Sequence, residues 1–329
     1  MKKSLYELIC TSRVGDGVLP PEFSLPDEAQ DGEDGTAGND GNAGEDGGNP
    51  QEQGMRFADG AMDGITVYHS APGQLTEDER KELGLLVMMA SGGDFDEAEK
   101  GFRAFCKEHR AITIIDELQQ YIVSHDEEVS YENLYRFAVG LLVESRWREC
   151  VKIGLSILEM YDTWENEELA GAIRRIGLSD EFTLFALFNM RRWPAADGET
   201  FELAKRVRGW GRIHCVDFMD AEDEEMKEWL FHNGVDNDVM SAYSAWAVYI
   251  KADVESILDR ENLSYEEVHA LLKLTEALLD EGPVSGISNL EDPSDYIEKV
   301  MHHARNCDKL TNEDKEIIGY IEDYTSANR

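Results

Sequence analysis

The chain is short of positive charge. Lysine and arginine together number 31 against 69 acidic residues, which gives a formal net charge of −38. Residues 56–329 alone hold 57 acidic and 28 basic residues, so the imbalance is not confined to one tail. Nucleic acid and anionic lipid are attracted by clustered lysine and arginine. We therefore expect neither as a partner. A basic protein, a cationic peptide or a metal ion suits this charge; the alternative is that the charge serves only solubility.

The chain also lacks paired cysteines and long apolar runs. No run approaches the roughly 20 apolar residues of a membrane span, so no membrane partner is expected. The N-terminal MKKSLYELICTSR has no uninterrupted apolar stretch of the kind found in a signal peptide. An odd number of scattered cysteines suits a reducing compartment, and the sequence predicts a cytoplasmic protein. The cysteines are Cys10, Cys106, Cys150, Cys215 and Cys307.

Two segments precede the main domain. Residues 1–26 form an N-terminal arm with one short predicted helix and then a proline-rich stretch. Leu19, Phe23 and Leu25 indicate that this arm docks, most simply on the body of the same protein. Residues 27–54 hold nine acids, no lysine or arginine, and glycine at every third position from 32 to 47. Without proline in these triplets a collagen helix is disfavoured, and an acidic flexible linker is predicted.

Residues 55–75 differ from both of their neighbours. Asp59–Gly60 and Asp63–Gly64 are turn dipeptides, and the residues from Ile65 to Tyr68 are β-branched or aromatic. This pattern predicts a small β-hairpin or an extended segment. Because no other strand-like run occurs in the chain, it would be an appendage.

Residues 76–329 read as helices throughout. Capping patterns such as Thr76-x-x-Glu79 and Ser264-x-x-Glu267 precede apolar stripes at helical spacing. Glycines and Pro194 interrupt these stripes, and successive helix pairs recur about every 35–40 residues, within the range of helical-repeat units. The pairs share no consensus. We therefore predict an all-α fold, an α-α superhelix that forms a degenerate solenoid.

Three consecutive runs carry a resemblance to a known family: GWGRIHCVDFM (209–219), EMKEWLFHNG (225–234) and VMSAYSAWAV (239–248). They resemble HEAT-like repeat proteins of Gram-positive bacteria, which implies a helical-repeat domain of some 150–250 residues. The opening YELICTSRVGDGVLPPEFSLP is similar to bacterial proteins labelled limonene hydroxylase. That second resemblance implies an oxygen-activating cofactor.

No cofactor or catalytic motif is recognisable. None of the cysteines has the glycine-rich setting of a haem thiolate, and Gly209-Trp-Gly211 does not continue into GxGxxG. A di-iron bundle needs two Glu-x-x-His motifs, and the chain has one, at Glu266–His269. His302, His303 and Cys307 lack zinc-site spacing, so an exposed helix face is favoured there. We predict no catalytic, metal or cofactor-binding residue.

One place remains where a binding groove is predicted. His214 falls on a helical stripe beside a glycine that allows close helix approach, although a buried core histidine is the ordinary explanation. The candidate groove consists of Trp210, Arg212, His214, Trp229 and His232.

Three hypotheses follow for function. The first is a non-enzymatic helical-repeat scaffold that binds a protein or peptide, possibly basic, through its concave surface. The second is a metal- or cofactor-dependent hydroxylase, as the N-terminal resemblance implies. The third is a structural protein whose N-terminal arm and linker cap its own solenoid.

Overall fold

In a computed structural model, the described residues are 3–15, 17–26, 57–70, 73–282 and 284–327. Within these ranges the chain forms α-helices and no named strand, which confirms the predicted all-α fold. Two 3₁₀ turns, Thr163–Glu165 and Ile287–Asn289, complete the secondary structure. The helices are α1 (Leu5–Ser12), α2 (Ala61–His69), α3 (Glu77–Gly92), α4 (Phe95–Phe105), α5 (Ala111–Ser124), α6 (Tyr131–Glu144), α7 (Arg148–Leu158), α8 (Glu167–Ile176), α9 (Asp180–Met190), α10 (Ala196–Ala204), α11 (Trp210–Phe218), α12 (Glu224–Asn233), α13 (Ala242–Lys251), α14 (Val254–Leu258), α15 (Tyr265–Leu279), α16 (Pro293–Arg305) and α17 (Asn312–Ala327).

The helices from α3 onward form two layers. Odd-numbered helices contact one another in chain order, α3 with α5, α5 with α7, and onward to α15 with α17; we call them the odd layer. Even-numbered helices, the even layer, pack against it, as α6 does on α7 and α10 does on α11. One apolar core runs through both layers from Leu5 to Ile321. Contacts mainly between sequence neighbours are typical of stacked helical repeats.

Local signals set many helix starts. Thr76 and Ser264 each accept a hydrogen bond from the backbone N–H three residues on, and a glutamate reaches back to the cap residue. These reciprocal capping boxes satisfy backbone donors that a helix start would otherwise leave open. Gly93 follows α3 in the left-handed conformation, with φ +94°, where a side chain would be strained.

The predicted hairpin or extended segment at residues 55–75 is wrong for residues 61–69, which form helix α2. Gly60, at φ +78°, stands at its N-terminus, and Asp63 and Gly64 lie inside the helix rather than in a turn. The helix propensities of Ile65, Thr66 and Val67 are only a few tenths of a kcal/mol below average. Tertiary contacts of α2, described below, outweigh that deficit.

The N-terminal arm docks on the body, as predicted. Helix α1 contacts both α6 and α8 in the even layer, and Leu5 and Ile9 are buried there. Leu25 is also fully buried, while Leu19 and Phe23 pack partly against the main core. The arm is therefore part of the folded unit. The predicted linker, residues 27–54, lies outside the described residues.

No helix in the described part of the chain combines the length and apolar character needed to cross a membrane.

Candidate functional site

Helix α2 lies across the odd layer and touches five of its helices or the loops that lead into them. Side chains of α2 contact Arg110 before α5, Lys152 on α7, Trp210 on α11 and Tyr243 on α13. Backbone contact with α9 comes through Gly60 N, which donates to Glu181 Oε2 at 2.9 Å. Ala61 and Trp210 belong to a small apolar cluster separate from the main core. A segment remote in sequence thus occupies one face of the odd layer.

Buried charges hold the first turn of α2. The Lys152 side chain is 0% exposed, and its Nζ lies 2.6 Å from Asp63 Oδ2, 2.9 Å from Glu149 Oε1 and 2.5 Å from Glu181 Oε1. Burial by itself would lower the pKa of Lys152, but these three carboxylates together raise it. Glu181 is likewise buried, which would raise its pKa, yet Lys152 and Arg148 hold that pKa below its usual value.

Two arginines, Arg110 and Arg148, extend this cluster. Arg110 Nη2 donates to Asp63 Oδ1 at 2.8 Å and lies 3.2 Å from Glu149 Oε1. Arg148 Nη1 donates to Asp59 Oδ1 at 2.9 Å, and its Nη2 donates to the carbonyl of Leu25 at 3.1 Å. Leu25 N in turn donates to Asp59 Oδ2 at 2.9 Å. The cluster therefore joins the N-terminal arm, α2 and the odd layer at one point.

Aromatic side chains hold the last turn of α2. The Tyr68 ring stacks on His214, with centroids 6.0 Å apart and planes 11° apart, and also contacts Trp210 and Tyr243. The Tyr68 hydroxyl donates to the carboxylate of Asp217 on α11. Burial raises the pKa of Asp217, although the Tyr68 hydrogen bond and Lys251 oppose that rise. This end of the site is built mainly from aromatic rings and is covered by α2.

Asp180 fixes the N-terminal end of α11, the helix that carries Trp210 and His214. Its two carboxylate oxygens accept hydrogen bonds from Gly209 N at 3.1 Å and Gly211 N at 3.0 Å. A Cβ at Gly211 would lie 2.4 Å from Asp180 Oδ1, so only glycine allows this approach. Burial raises the pKa of Asp180 to about 6, against the lowering effect of the two backbone donors.

The five residues predicted to share a groove lie in separate places. Trp210 and His214 are buried beneath α2. Arg212 lies in a different cleft, with its guanidinium 5.2 Å from the ring centre of Trp229. His232 packs against Phe231 on α12, with ring centroids 5.0 Å apart. Trp210, Arg212 and His214 all lie on α11, but residues two apart on a helix do not face each other, so Arg212 does not share the environment of the other two.

An open cleft of about 820 Å³ lies on the odd layer, and Gly73 and Gln74, which come between α2 and α3 in the chain, line part of it. Its walls come from α3, α5 and the C-terminal ends of α7 and α9. Apolar side chains such as Leu83, Ile115 and Phe188 alternate with charged ones. The charged lining residues are Arg80, Asp116, Glu117, Glu159 and Arg191. The cleft thus combines apolar surface with a few charged groups, as ligand pockets commonly do.

The histidines considered as metal ligands have structural contacts. His269 Nδ1 lies 2.6 Å from Asp314 Oδ1, and His303 Nε2 lies 3.0 Å from the carbonyl of Leu258. His302 approaches Asn306 on the same helix end. Among the described residues, no group of three or more His, Cys, Asp or Glu side chains converges so as to hold a metal ion.

Comparison with known protein families, with curated proteins and with solved structures finds no match to this chain. The resemblance to HEAT-like repeat proteins therefore stays a prediction, and so does the resemblance to proteins labelled limonene hydroxylase. Function has to be argued from geometry and charge.

Sequence reasoning missed the residues that anchor α2: Asp63, Tyr68, Lys152 and Glu181. Lys152 is the only charged residue in the run CVKIGLSIL of α7, and such a position is itself a signal of a buried ion pair. Asp63 carried no comparable signal, since Asp-Gly usually marks a turn.

Proposed function

We propose that this protein is a helical-repeat scaffold that binds a peptide segment of a partner protein in the open cleft that α3 and α5 line. The observation that carries the proposal is α2 itself, a nine-residue helix that the odd layer holds through charged and aromatic side chains. A face that binds one helix in this way offers suitable chemistry for a second segment next to it. The superhelical, HEAT-like character of the array belongs to this proposal.

The charge of the molecule favours a basic segment. The formal net charge is −38, and Asp116 and Glu117 line the cleft on α5. Opposite charge speeds the encounter and excludes polyanions such as nucleic acid. We place this function in the cytoplasm, which the scattered cysteines support.

The proposal is tested with a charge reversal at the cleft. Asp116→Lys changes an exposed lining residue, whereas Asp126→Lys makes the same change at an exposed residue outside the cleft. Each variant and the parent protein are used to capture partners from extracts of the native host, and the captured protein is then titrated by calorimetry. We expect Asp116→Lys to weaken binding at least about tenfold, since a charge-assisted contact is worth about 1.5–3 kcal/mol.

Amide hydrogen exchange of the same complex is an independent test of where the partner binds. The bound partner should slow exchange in α3 and α5, which form the cleft. Equal affinity of the two variants, or protection confined to other helices, would refute this location for the site.

A self-capped structural protein is the second candidate, and the position of α1 favours it. Helix α1 contacts α6 and α8 together, so it completes the even layer at that point. Ile9→Ala should destabilise the whole protein by about 2–4 kcal/mol, while Val14→Ala, at a 52% exposed position, should have little effect. If Ile9→Ala melts like the parent protein, the arm has no capping role.

A further inference from the structure

A second cleft, of about 510 Å³, concentrates positive charge on this acidic protein. It lies between the end of α10, the start of α11 and the middle of α15. The run from Lys205 to Arg212 contributes four cations within eight residues of the sequence KRVRGWGR. The cations that line this basic cleft are Lys205, Arg206, Arg208, Arg212 and Lys273. Five of the chain's 31 lysines and arginines therefore surround one opening.

Carboxylates compensate only part of this charge. Asp236 forms an ion pair with Lys273, and Glu202 forms ion pairs with Lys205 and, at 3.4 Å, with Arg206. Asp238 is the remaining carboxylate in the lining. Five cations therefore face three carboxylates, which leaves a surplus of two positive charges.

The two remaining arginines are the ones available to a ligand. Arg212 is half-buried; its Nε donates to the carbonyl of Val207 at 2.9 Å and its Nη1 to that of Asp236 at 3.2 Å. These bonds and the ring of Trp229 fix its guanidinium plane. Arg208 is exposed at the rim. Within the described residues, neither Arg208 nor Arg212 has a carboxylate ion pair within 4.0 Å.

A half-buried guanidinium without a carboxylate is unfavourable, and an incoming anion would correct it. Burial lowers the pKa of Arg212, which reports the same loss of hydration. Arginine presents its N–H groups as a planar fork that matches the oxygens of a phosphate group. Carboxylates that lie farther from the cleft than about 8 Å act only weakly on a ligand bound there, because this is the screening length at physiological ionic strength.

We propose that the basic cleft binds a phosphate group, either as a small phosphate monoester or as free inorganic phosphate, through Arg208 and Arg212. A phosphate monoester carries close to two negative charges at pH 7, which matches the surplus of the cleft. A single carboxylate carries one charge and would leave the cleft under-compensated. Arg212 supplies an oriented donor set, and Arg208 closes over the ligand from the rim.

The test uses the full chain and three probes at 150 mM NaCl: O-phosphoserine, inorganic phosphate and malonate. Calorimetric titration measures the affinity of each. We expect saturable binding of one phosphate group per chain and weaker binding of malonate, although malonate also carries two negative charges. The ratio between the first two probes distinguishes a phosphate ester from free phosphate as the natural ligand.

Variants locate the site. Arg208→Gln should weaken phosphate binding about tenfold or more, because it removes a charge-assisted contact. Arg136→Gln, which removes an exposed arginine on α6 outside the cleft, should bind like the parent protein. Far-ultraviolet circular dichroism checks that each variant is folded. The proposal is overturned if phosphate does not saturate, if malonate binds as tightly as phosphate, or if Arg208→Gln binds like Arg136→Gln.

Discussion

Adjacent residues on α2 show how single side chains decide its position. Asp63 enters the odd layer to meet Lys152 and Arg110, and Gly64 lies directly against Trp210. A Cβ on Gly64 would stand 2.1 Å from Trp210 Cε3, so the helix can lie this close only without a side chain there. Both residues are unfavourable in a helix by propensity alone. Their cost is offset by contacts that exist only in the folded protein.

Gly64→Ala should destabilise the protein by about 1–3 kcal/mol, because the added methyl group overlaps the Trp210 ring and the helix must shift. Gly140→Ala, at a helical glycine with open space around it, is the matched control. That change should be neutral or stabilise by up to about 1 kcal/mol. Chemical denaturation measures both. Equal effects would mean that α2 does not pack tightly on Trp210.

His214 makes stability depend on pH. Burial lowers its pKa from 6.5 to about 4, so the folded protein keeps this histidine neutral while the unfolded chain protonates it. Stability from this residue is therefore present above pH 6.5 and is lost as pH falls towards 4. Between pH 7 and pH 5 the loss is about 2 kcal/mol.

The comparison with His214→Phe isolates that loss. Phenylalanine can stack on Tyr68 but cannot take up a proton. From pH 7 to pH 5 the unfolding free energy of the variant should therefore rise by about 2 kcal/mol relative to that of the parent protein. Asp180 acts in the opposite direction, since burial raises its pKa to about 6, but it is present in both proteins and cancels. A pH-independent difference would contradict a buried neutral His214.

At the scale of elements, α2 is held by charge at one end and by aromatic rings at the other. The charged end is buried, and buried ion pairs fix position more than they add stability. Removing one partner is nevertheless costly, because each remaining buried charge then has fewer opposite charges to compensate it. Lys152 without Asp63 would keep Glu149 and Glu181, whereas Arg110 would keep Glu149 alone.

Asp63→Asn should therefore cost about 3 kcal/mol of unfolding free energy. Asp78→Asn is the control, since Asp78 is 95% exposed at its side chain and pairs with Lys81 at 3.4 Å on the surface of α3. Surface pairs of this kind contribute less than about 1 kcal/mol. Amide exchange should also accelerate in α2 of Asp63→Asn. Unchanged exchange in α2, together with equal stability losses, would refute the anchoring role of Asp63.

At the scale of the whole molecule, net charge is the dominant feature. A formal charge of −38 on one chain produces self-repulsion that opposes the compact state. Ion pairs within the odd layer do not remove it, because they are local and nearly neutral. The basic cleft is a locally positive region on this negatively charged protein. It can attract an anion only because salt screens the distant carboxylates.

Raising NaCl from 10 to 300 mM at pH 7 should increase the melting temperature by roughly 2–4 °C, which corresponds to about 1 kcal/mol for a chain of this size. The increase should shrink at pH 4.5, where many surface carboxylates are protonated. Differential scanning calorimetry in acetate-free and phosphate-free buffers measures it. A melting temperature that falls with added salt at pH 7 would show that attractive ion pairs outweigh the repulsion.

Much of the fold was predictable because its causes are local. Local signals act within a few residues: the caps at Thr76 and Ser264, the apolar stripes and the glycine breaks. Each helix from α3 onward could therefore be predicted from its own stretch of sequence. Docking of the N-terminal arm followed from apolar residues that a solvated segment would not need. The candidate site was only partly predictable. Trp210 and His214 lie together beneath α2, but Arg212 lies in the basic cleft and its guanidinium contacts the ring of Trp229.

The sequence by itself determined the helical class, the acidic character and the absence of strand-forming runs beyond residues 65–68. Tertiary structure alone decided that those residues form a helix, that α2 covers Trp210 and His214, and that Asp63 meets Lys152. The physical reason is the separation along the chain over which each interaction acts. Capping and periodicity act between near neighbours, whereas pairing of buried charges and stacking of rings join segments that meet only once the two layers have assembled.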